Sequence, residues 1–198
     1  IYQCDWSSDV CSSDLQHESY LPGAYDFDRS RLGYSRLQHL HRIGVLDENA
    51  SLIHMNIIQD DDVPSIMESN ATLIWCPYAY LRSGMSERIP CRIPEMLHNG
   101  VNVALAIDGT MDATVGNAAV AAFLAAGNAK ATITPELIIE MQTIRAARAA
   151  GMEREIGSIE AGKRADIVIR SALSVEAYPA TNPVHQLALL QRAAAWTR

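Results

Sequence analysis

No stretch of this sequence gathers Lys and Arg into a basic face, and the formal charge is −7, so a nucleic-acid surface is not expected. Long apolar runs are missing too. The longest, Ala118 to Ala126, is Ala-rich and far short of the roughly 20 residues that span a bilayer, so no membrane segment is expected. Near the start, Asp5, Asp9 and Asp14 interrupt anything resembling the apolar region of a secretory signal. The four cysteines, Cys4, Cys11, Cys76 and Cys91, form neither a CxxC pair nor a closely spaced disulfide framework. Reduced thiols in a cytoplasmic setting are the simpler expectation. There is no visible internal repeat and no long linker.

What is present is ordinary globular composition, 48% hydrophobic and 20% charged over 198 residues, enough for one sizeable core. Leu32, Leu37, Leu40 and Ile43 recur at helical spacing, which predicts a helix over Arg31–Ile43 that stops at Gly44. Ser51–Ile58 (SLIHMNII), Ala71–Cys76 (ATLIWC) and Val101–Ile107 (VNVALAI) are short apolar runs of the kind found in strands buried on both faces. Between them, Asp62-Val-Pro64 reads as an N-cap with Pro in the first turn of a helix ending near Asn70. Pro94–Asn99 reads as a short helix ended by Gly100. Two Ala-rich helices follow, the second capped by Thr134 with Pro135 at its first position and running to about Ala150. Strands and helices alternating with short connections predict an α/β fold with a parallel sheet. From Ile156 the pattern changes. IGSIEAGKRADIVIR alternates about Gly162 as a β-hairpin of a separate small β layer would, and Pro183–Ala195 is an amphipathic stretch.

Residues Asp5 to Leu15, DWSSDVCSSDL, have neither helical nor strand periodicity. As protein they would be a Ser/Asp-rich disordered tail. The string also resembles, residue for residue, the translation of a common short-read sequencing adapter. Residues 1–15 are therefore expected to be adapter-derived and the natural reading frame to begin near Gln16.

In a parallel βα fold, functional side chains project from the C-terminal ends of strands. Glu18 (with His17), His54 and Asp108 fall at such ends. Asp108 closes an apolar strand, where a carboxylate is costly to bury unless paired or metal-bound; its plain alternative is an Asp-Gly turn. His54, between Ile53 and Met55, reads by itself more readily as a hydrogen-bonded core histidine. His39, His41, His98 and His185 fall on helical stretches and read as helix-surface residues. Carboxylate and imidazole groups at successive strand ends disfavour a purely apolar binding module.

Taken together, IGSIEAGKRADIVI, GVNVALAIDGT, SLIHMNII and ATLIWCP resemble four motifs of the metal-dependent amidohydrolase superfamily, in its cytosine/guanine deaminase-like and triazine hydrolase-like branch. The first is similar to the IGSLEPGKRADLV segment that leads from barrel to small β-sandwich. The others are similar to strand-eight GVNVALGTDG, strand-six LLAHCVHL and strand-seven TSVAHCP. The resemblance runs from Gln16 to about Leu190 and implies a partial (β/α)8 TIM barrel, about strands 5–8. It assigns 16–154 to the C-terminal half of the barrel and 155–198 to the start of the β-sandwich segment plus a C-terminal helix.

The resemblance further implies one divalent metal, zinc or iron, in the intact parent; the alternative for this piece alone is that none is bound. Asp108 matches the strand-eight aspartate that contacts the metal and shuttles a proton. His54 matches the strand-six histidine that polarises the substrate, and Glu18 the strand-five glutamate that acts as acid and base. The position three before Glu18 is Leu15, so either the strand-five metal histidine is missing or His17 serves in a shifted register. The strand-one HxH pair has no counterpart. Tyr78, Ala79 and Tyr80 follow Pro77 where the family commonly has Ser-Asn, which points to an aromatic pocket wall with Tyr80 as a substrate contact. The implied activity is hydrolysis of C–N bonds other than peptide bonds in a small heterocyclic amidine or cyclic amide. The alternative is an inactive fragment lacking the HxH ligands. A homo-oligomer is compatible with the sequence.

Overall fold

The computed structural model describes residues 14–108, 118–169 and 182–189. Four parallel strands form one sheet in sequence order: β1 (Asp14–Glu18), β2 (Ala50–His54), β3 (Thr72–Trp75) and β4 (Val103–Leu105). Register partners are Glu18 with His54, Leu52 with Leu73, and Leu73 with Val103. A strand of period two puts Leu52, Leu73 and Val103 on one face, and all three are fully buried. Leu15, His17, Ile53 and Ile74 share the other face and are exposed or half-buried. Sequential parallel order with helical crossovers is the arrangement of a βα barrel, here four strands of one.

The helices between strands follow local signals. α1 (Pro22–Leu32) begins with Pro and ends at Gly33, whose φ of 77° is the left-handed turn that favours glycine. α2 (Arg36–Arg42) starts on a capping box, in which the Ser35 hydroxyl accepts from Gln38 N while the Gln38 side chain accepts from Ser35 N. The single helix expected over Arg31–Ile43 is therefore two, because Gly33 closes one and Ser35 opens the next.

α3 (Val63–Ser69) has Pro in its first turn as expected, but Asp62 does not cap it. The Asp62 carboxylate instead accepts from Tyr25 Oη (2.7 Å), Gln59 N (3.0 Å) and the Ser35 hydroxyl, pinning α1 and the start of α2 to the β2–α3 loop. α4 (Pro77–Arg82) follows β3, and α5 (Ile93–His98) covers the helix expected over Pro94–Asn99.

α6 (Ala118–Asn128) buries small residues such as Ala119, Ala122 and Ala125. The Thr134 hydroxyl accepts from Leu137 N at the start of α7 (Pro135–Gln142), as its sequence position predicts. The helix breaks at Thr143 and resumes as α8 (Ile144–Ala149). Asn102, just before β4, donates to Thr72 Oγ1 and to the Arg145 carbonyl, tying the sheet to α8.

Beyond α8 the expected hairpin is not formed. Residues 155–169 carry turns without a strand, with Arg164 N donating to Glu155 O at 2.8 Å. Ile159 and Ile169 are each 86% exposed, and an isolated hairpin with an unpacked apolar face is marginal in water. Gly157 has a different role. At φ 91°, a Cβ there would lie 2.7 Å from Ala147 Cβ and 2.9 Å from Ile144 Cα, so the chain lies directly against α8. α9 (Pro183–Leu189) occupies the start of the amphipathic stretch; the rest lies outside the described residues. Among the described residues, no helix is long and apolar enough to cross a membrane.

Candidate active site

Glu18 and His54 stand side by side at the ends of β1 and β2, and the two chains stay zipped past the strands. Met55 N donates to Glu18 O (3.2 Å), Ile57 N to Ser19 O (3.1 Å), and Asn56 Nδ2 to Tyr20 O (3.4 Å). The backbone turns left-handed at each strand end that carries a predicted site residue: Ser19 (φ 49°), His54 (φ 76°), Met55 (φ 48°) and Asp108 (φ 66°). For a non-glycine residue this costs about 1–2 kcal/mol, and such strain gathers at functional sites.

Glu18 is buried, and Arg36 Nε lies 3.2 Å from its Oε1 without the alignment of a hydrogen bond. Burial raises its pKa to about 7; Arg36 pulls the value down and Asp28 pushes it up. His54 is 2% exposed, and its Nδ1 has no hydrogen-bond partner among the described residues. Burial holds its pKa below the usual histidine range, with Asp108 opposing the shift and His17 adding to it. Its ring stacks on Tyr20 (centroids 4.1 Å apart, planes at 22°) and lies 5.2 Å from the His17 ring.

Asp108 follows β4 and is exposed, so it does not incur the burial cost expected from the sequence. Its charge nonetheless reaches both His54 and the buried Cys76, whose thiol is pushed up to about 12 by burial first and by Asp108 second. Cys76 and Cys91 are both free thiols.

A cavity of about 120 Å³ adjoins Glu18, with His17, Tyr20, Tyr25, Asp28 and Arg36 in its wall. It is smaller than the ~300 Å³ at which small-molecule pockets begin, so it forms part of a site wall and does not enclose a ligand. Tyr80 is not part of this wall. It lies in the core on α4, 1% exposed, its hydroxyl donating to the Ile89 carbonyl. The aromatic wall comes instead from Tyr20 and Tyr25. Tyr20, two residues beyond Glu18, had a sequence signal only in that proximity. Of the remaining histidines, His39, His41, His98 and His185 lie on helices as read.

Asp108 and His17 are the two residues predicted to hold a metal. Among the described residues no three His, Cys, Asp or Glu side chains gather as a cation site. A catalytic zinc takes three protein ligands and an open position, so these residues alone do not fit a complete centre.

A parallel βα half-barrel places this chain among the (β/α)8-barrel folds by architecture. The chain belongs to the amidohydrolase family, whose model matches residues 13–189. It is 32% identical over 182 residues to a 5-methylthioadenosine/S-adenosylhomocysteine deaminase of Teredinibacter turnerae, covering 88% of this chain and 40% of that protein. It is 35% identical over 162 residues to an S-triazine hydrolase of Gordonia rubripertincta, covering 76% and 31% respectively. An adenosine deaminase from Xanthomonas campestris, solved with bound zinc, superposes with a TM-score of 0.77 at 24% identity, over 89% of this chain and 41% of that one. An atrazine chlorohydrolase from Arthrobacter aurescens, solved with zinc and atraton, gives 0.77 at 20% identity, over 91% and 40%. These two share the fold, a partial (β/α)8 barrel in this chain. The chain thus spans two-fifths or less of the curated relatives it matches here.

Proposed function

We propose that this chain is the C-terminal half of the catalytic barrel of a metal-dependent hydrolase acting on C–N bonds other than peptide bonds. The substrate class is a small heterocyclic amidine or cyclic amide, and the reaction is deamination, in keeping with the name of the Teredinibacter turnerae relative. The observation that carries the reading is the placement of Glu18 and His54, in register, at the C-terminal ends of β1 and β2, with Asp108 in the loop three residues beyond β4.

Each residue has a task that its surroundings support. Glu18, its pKa raised by burial, gives a proton to the departing nitrogen and recovers one afterwards. His54, kept neutral by burial, offers a ring nitrogen to the substrate atom on which charge develops. Asp108, exposed at its strand end, accepts the proton of the attacking water. Asp108 and His17 are this chain's contribution to holding the divalent ion, zinc or iron, and further donors come from elsewhere in the intact protein. A reducing cytoplasmic location fits the two buried thiols.

The test is ammonia release from aminopurine, aminopyrimidine and aminotriazine substrates by the longer protein that carries this chain. Asp108→Ala should lower kcat by about 10³ or more, on the scale of losing a catalytic proton acceptor. Rates like those of the unmodified protein would refute the assignment. A second reading, that a single copy of this chain is inactive alone, is favoured by the lack of three gathered donors among the described residues. Turnover by the 198-residue chain supplied with zinc would rule it out.

A further inference from the structure

We infer that Tyr20 is a positioning residue for His54: its ring fixes the plane in which the His54 imidazole is presented to the substrate. The inference rests on the function proposed above for His54, but its geometric basis is separate.

His54 has few other means of being held. It sits at a left-handed strand end, φ 76°, is 2% exposed, and its Nδ1 makes no hydrogen bond among the described residues. A histidine meant to offer one nitrogen to a substrate normally has the other nitrogen fixed by a hydrogen bond, which selects the tautomer. Here the fixed contact is aromatic. Tyr20 stacks on the imidazole at 4.1 Å and 22°, an offset-stack separation, and His17 stands 5.2 Å away at 43°. Tilting the His54 ring out of its present plane about the Cβ–Cγ bond would break the stack on Tyr20.

Tyr20 is itself held in place. It is only half-buried, so the core does not fix it. The backbone does: Glu18, Ser19 and Tyr20 offer their carbonyls in turn to Met55 N, Ile57 N and Asn56 Nδ2. This ladder runs beyond β1 and β2 and carries the Tyr20 ring over His54, the residue before Met55 on the other strand. The phenol hydroxyl has no part in this, so the ring alone should suffice.

The experiment uses NMR of the His54 ring carbons and protons in the complete 198-residue chain, at a pH where the imidazole is neutral. The unmodified chain should show ring protons shifted upfield by the Tyr20 ring current and ring-carbon relaxation of a rigidly held imidazole. Tyr20→Phe should keep both signatures. Tyr20→Leu, without a ring, should lose the upfield shift and give the relaxation of a mobile ring, while far-UV circular dichroism stays unchanged. The inference is overturned if Tyr20→Leu leaves the His54 ring as rigid as before. It is equally overturned if Tyr20→Leu unfolds the chain, since the ring would then be a core element, or if Tyr20→Phe behaves as Tyr20→Leu does. None of these readings depends on turnover, so failure here leaves the proposed reaction standing. Loss of activity in Asp108→Ala, conversely, says nothing about Tyr20.

Discussion

Replacing Asp62 with Ala should be among the most damaging single changes in this chain, although the residue lies outside the candidate site. Its carboxylate is 1% exposed and accepts from the Tyr25 phenol, the Ser35 hydroxyl and Gln59 N. Hydrogen bonds to a charged group contribute about 1.5–3 kcal/mol each, and a buried donor left without a partner costs about 1–3 kcal/mol. Three such bonds do not add in full, because Ser35 can redirect its proton and removing the carboxylate also removes its own desolvation cost. A net loss of about 3 kcal/mol is the resulting expectation, which for a chain of this length lowers Tm by about 6–12 °C. Urea unfolding followed by circular dichroism measures it. A double-mutant cycle with Tyr25→Phe should give a coupling of about 1 kcal/mol or more, since the two groups are 2.7 Å apart. A loss below about 1 kcal/mol for Asp62→Ala would refute the view that this carboxylate joins α1 and α2 to the sheet. The same geometry keeps the Tyr25 phenol above its usual pKa, through burial first and Asp62 second.

Two further expectations concern Glu18 and Gly157. The Glu18 pKa rises from 4.5 unfolded to about 7 folded, so the folded state binds the extra proton between those values. Stability should therefore fall as pH rises from about 4.5 through 7, by up to roughly 3 kcal/mol, and Glu18→Gln should flatten the curve; urea midpoints in the two proteins that run parallel across this window would contradict it. Gly157→Ala should cost about 2 kcal/mol or more, given a left-handed φ and contacts of 2.7 and 2.9 Å with α8, and should expose the chain after Met152 to protease; an unchanged Tm and digestion pattern would show that the segment is not packed there.

Much of the framework could be read because local signals and tertiary packing agree. The apolar runs around Leu52, Leu73 and Val103 became β2, β3 and β4, each buried on the helix-covered face. Each strand is shorter than its run. After His54 the backbone turns left-handed, so Met55 to Ile58 are buried without being strand, and hydrophobicity alone does not mark that boundary. The Thr134-Pro135 helix start was legible because cap and first-turn chemistry act within one turn. Asp62 misled for the opposite reason. Its local position suits a cap, while its partners Tyr25 and Ser35 lie 37 and 27 residues away. In the candidate site, the order of Glu18, His54 and Asp108 was visible, but the rings of Tyr20 and Tyr25 were not, since their part in it depends on which chain segments lie side by side. Tyr80 shows the reverse: an aromatic after a proline suggested a pocket wall, and the fold of α4 turns it inward to the Ile89 carbonyl.

The left-handed backbone at Ser19, His54 and Asp108 also bears on how this scaffold can acquire new reactions. Aspartate, asparagine, histidine and glycine enter that conformation most readily, whereas β-branched Val, Ile and Thr are strained in it. The mouth of the sheet thus limits which substitutions evolution or a mutant library can sample there. It admits polar, potentially reactive side chains more readily than the aliphatic ones that would silence it.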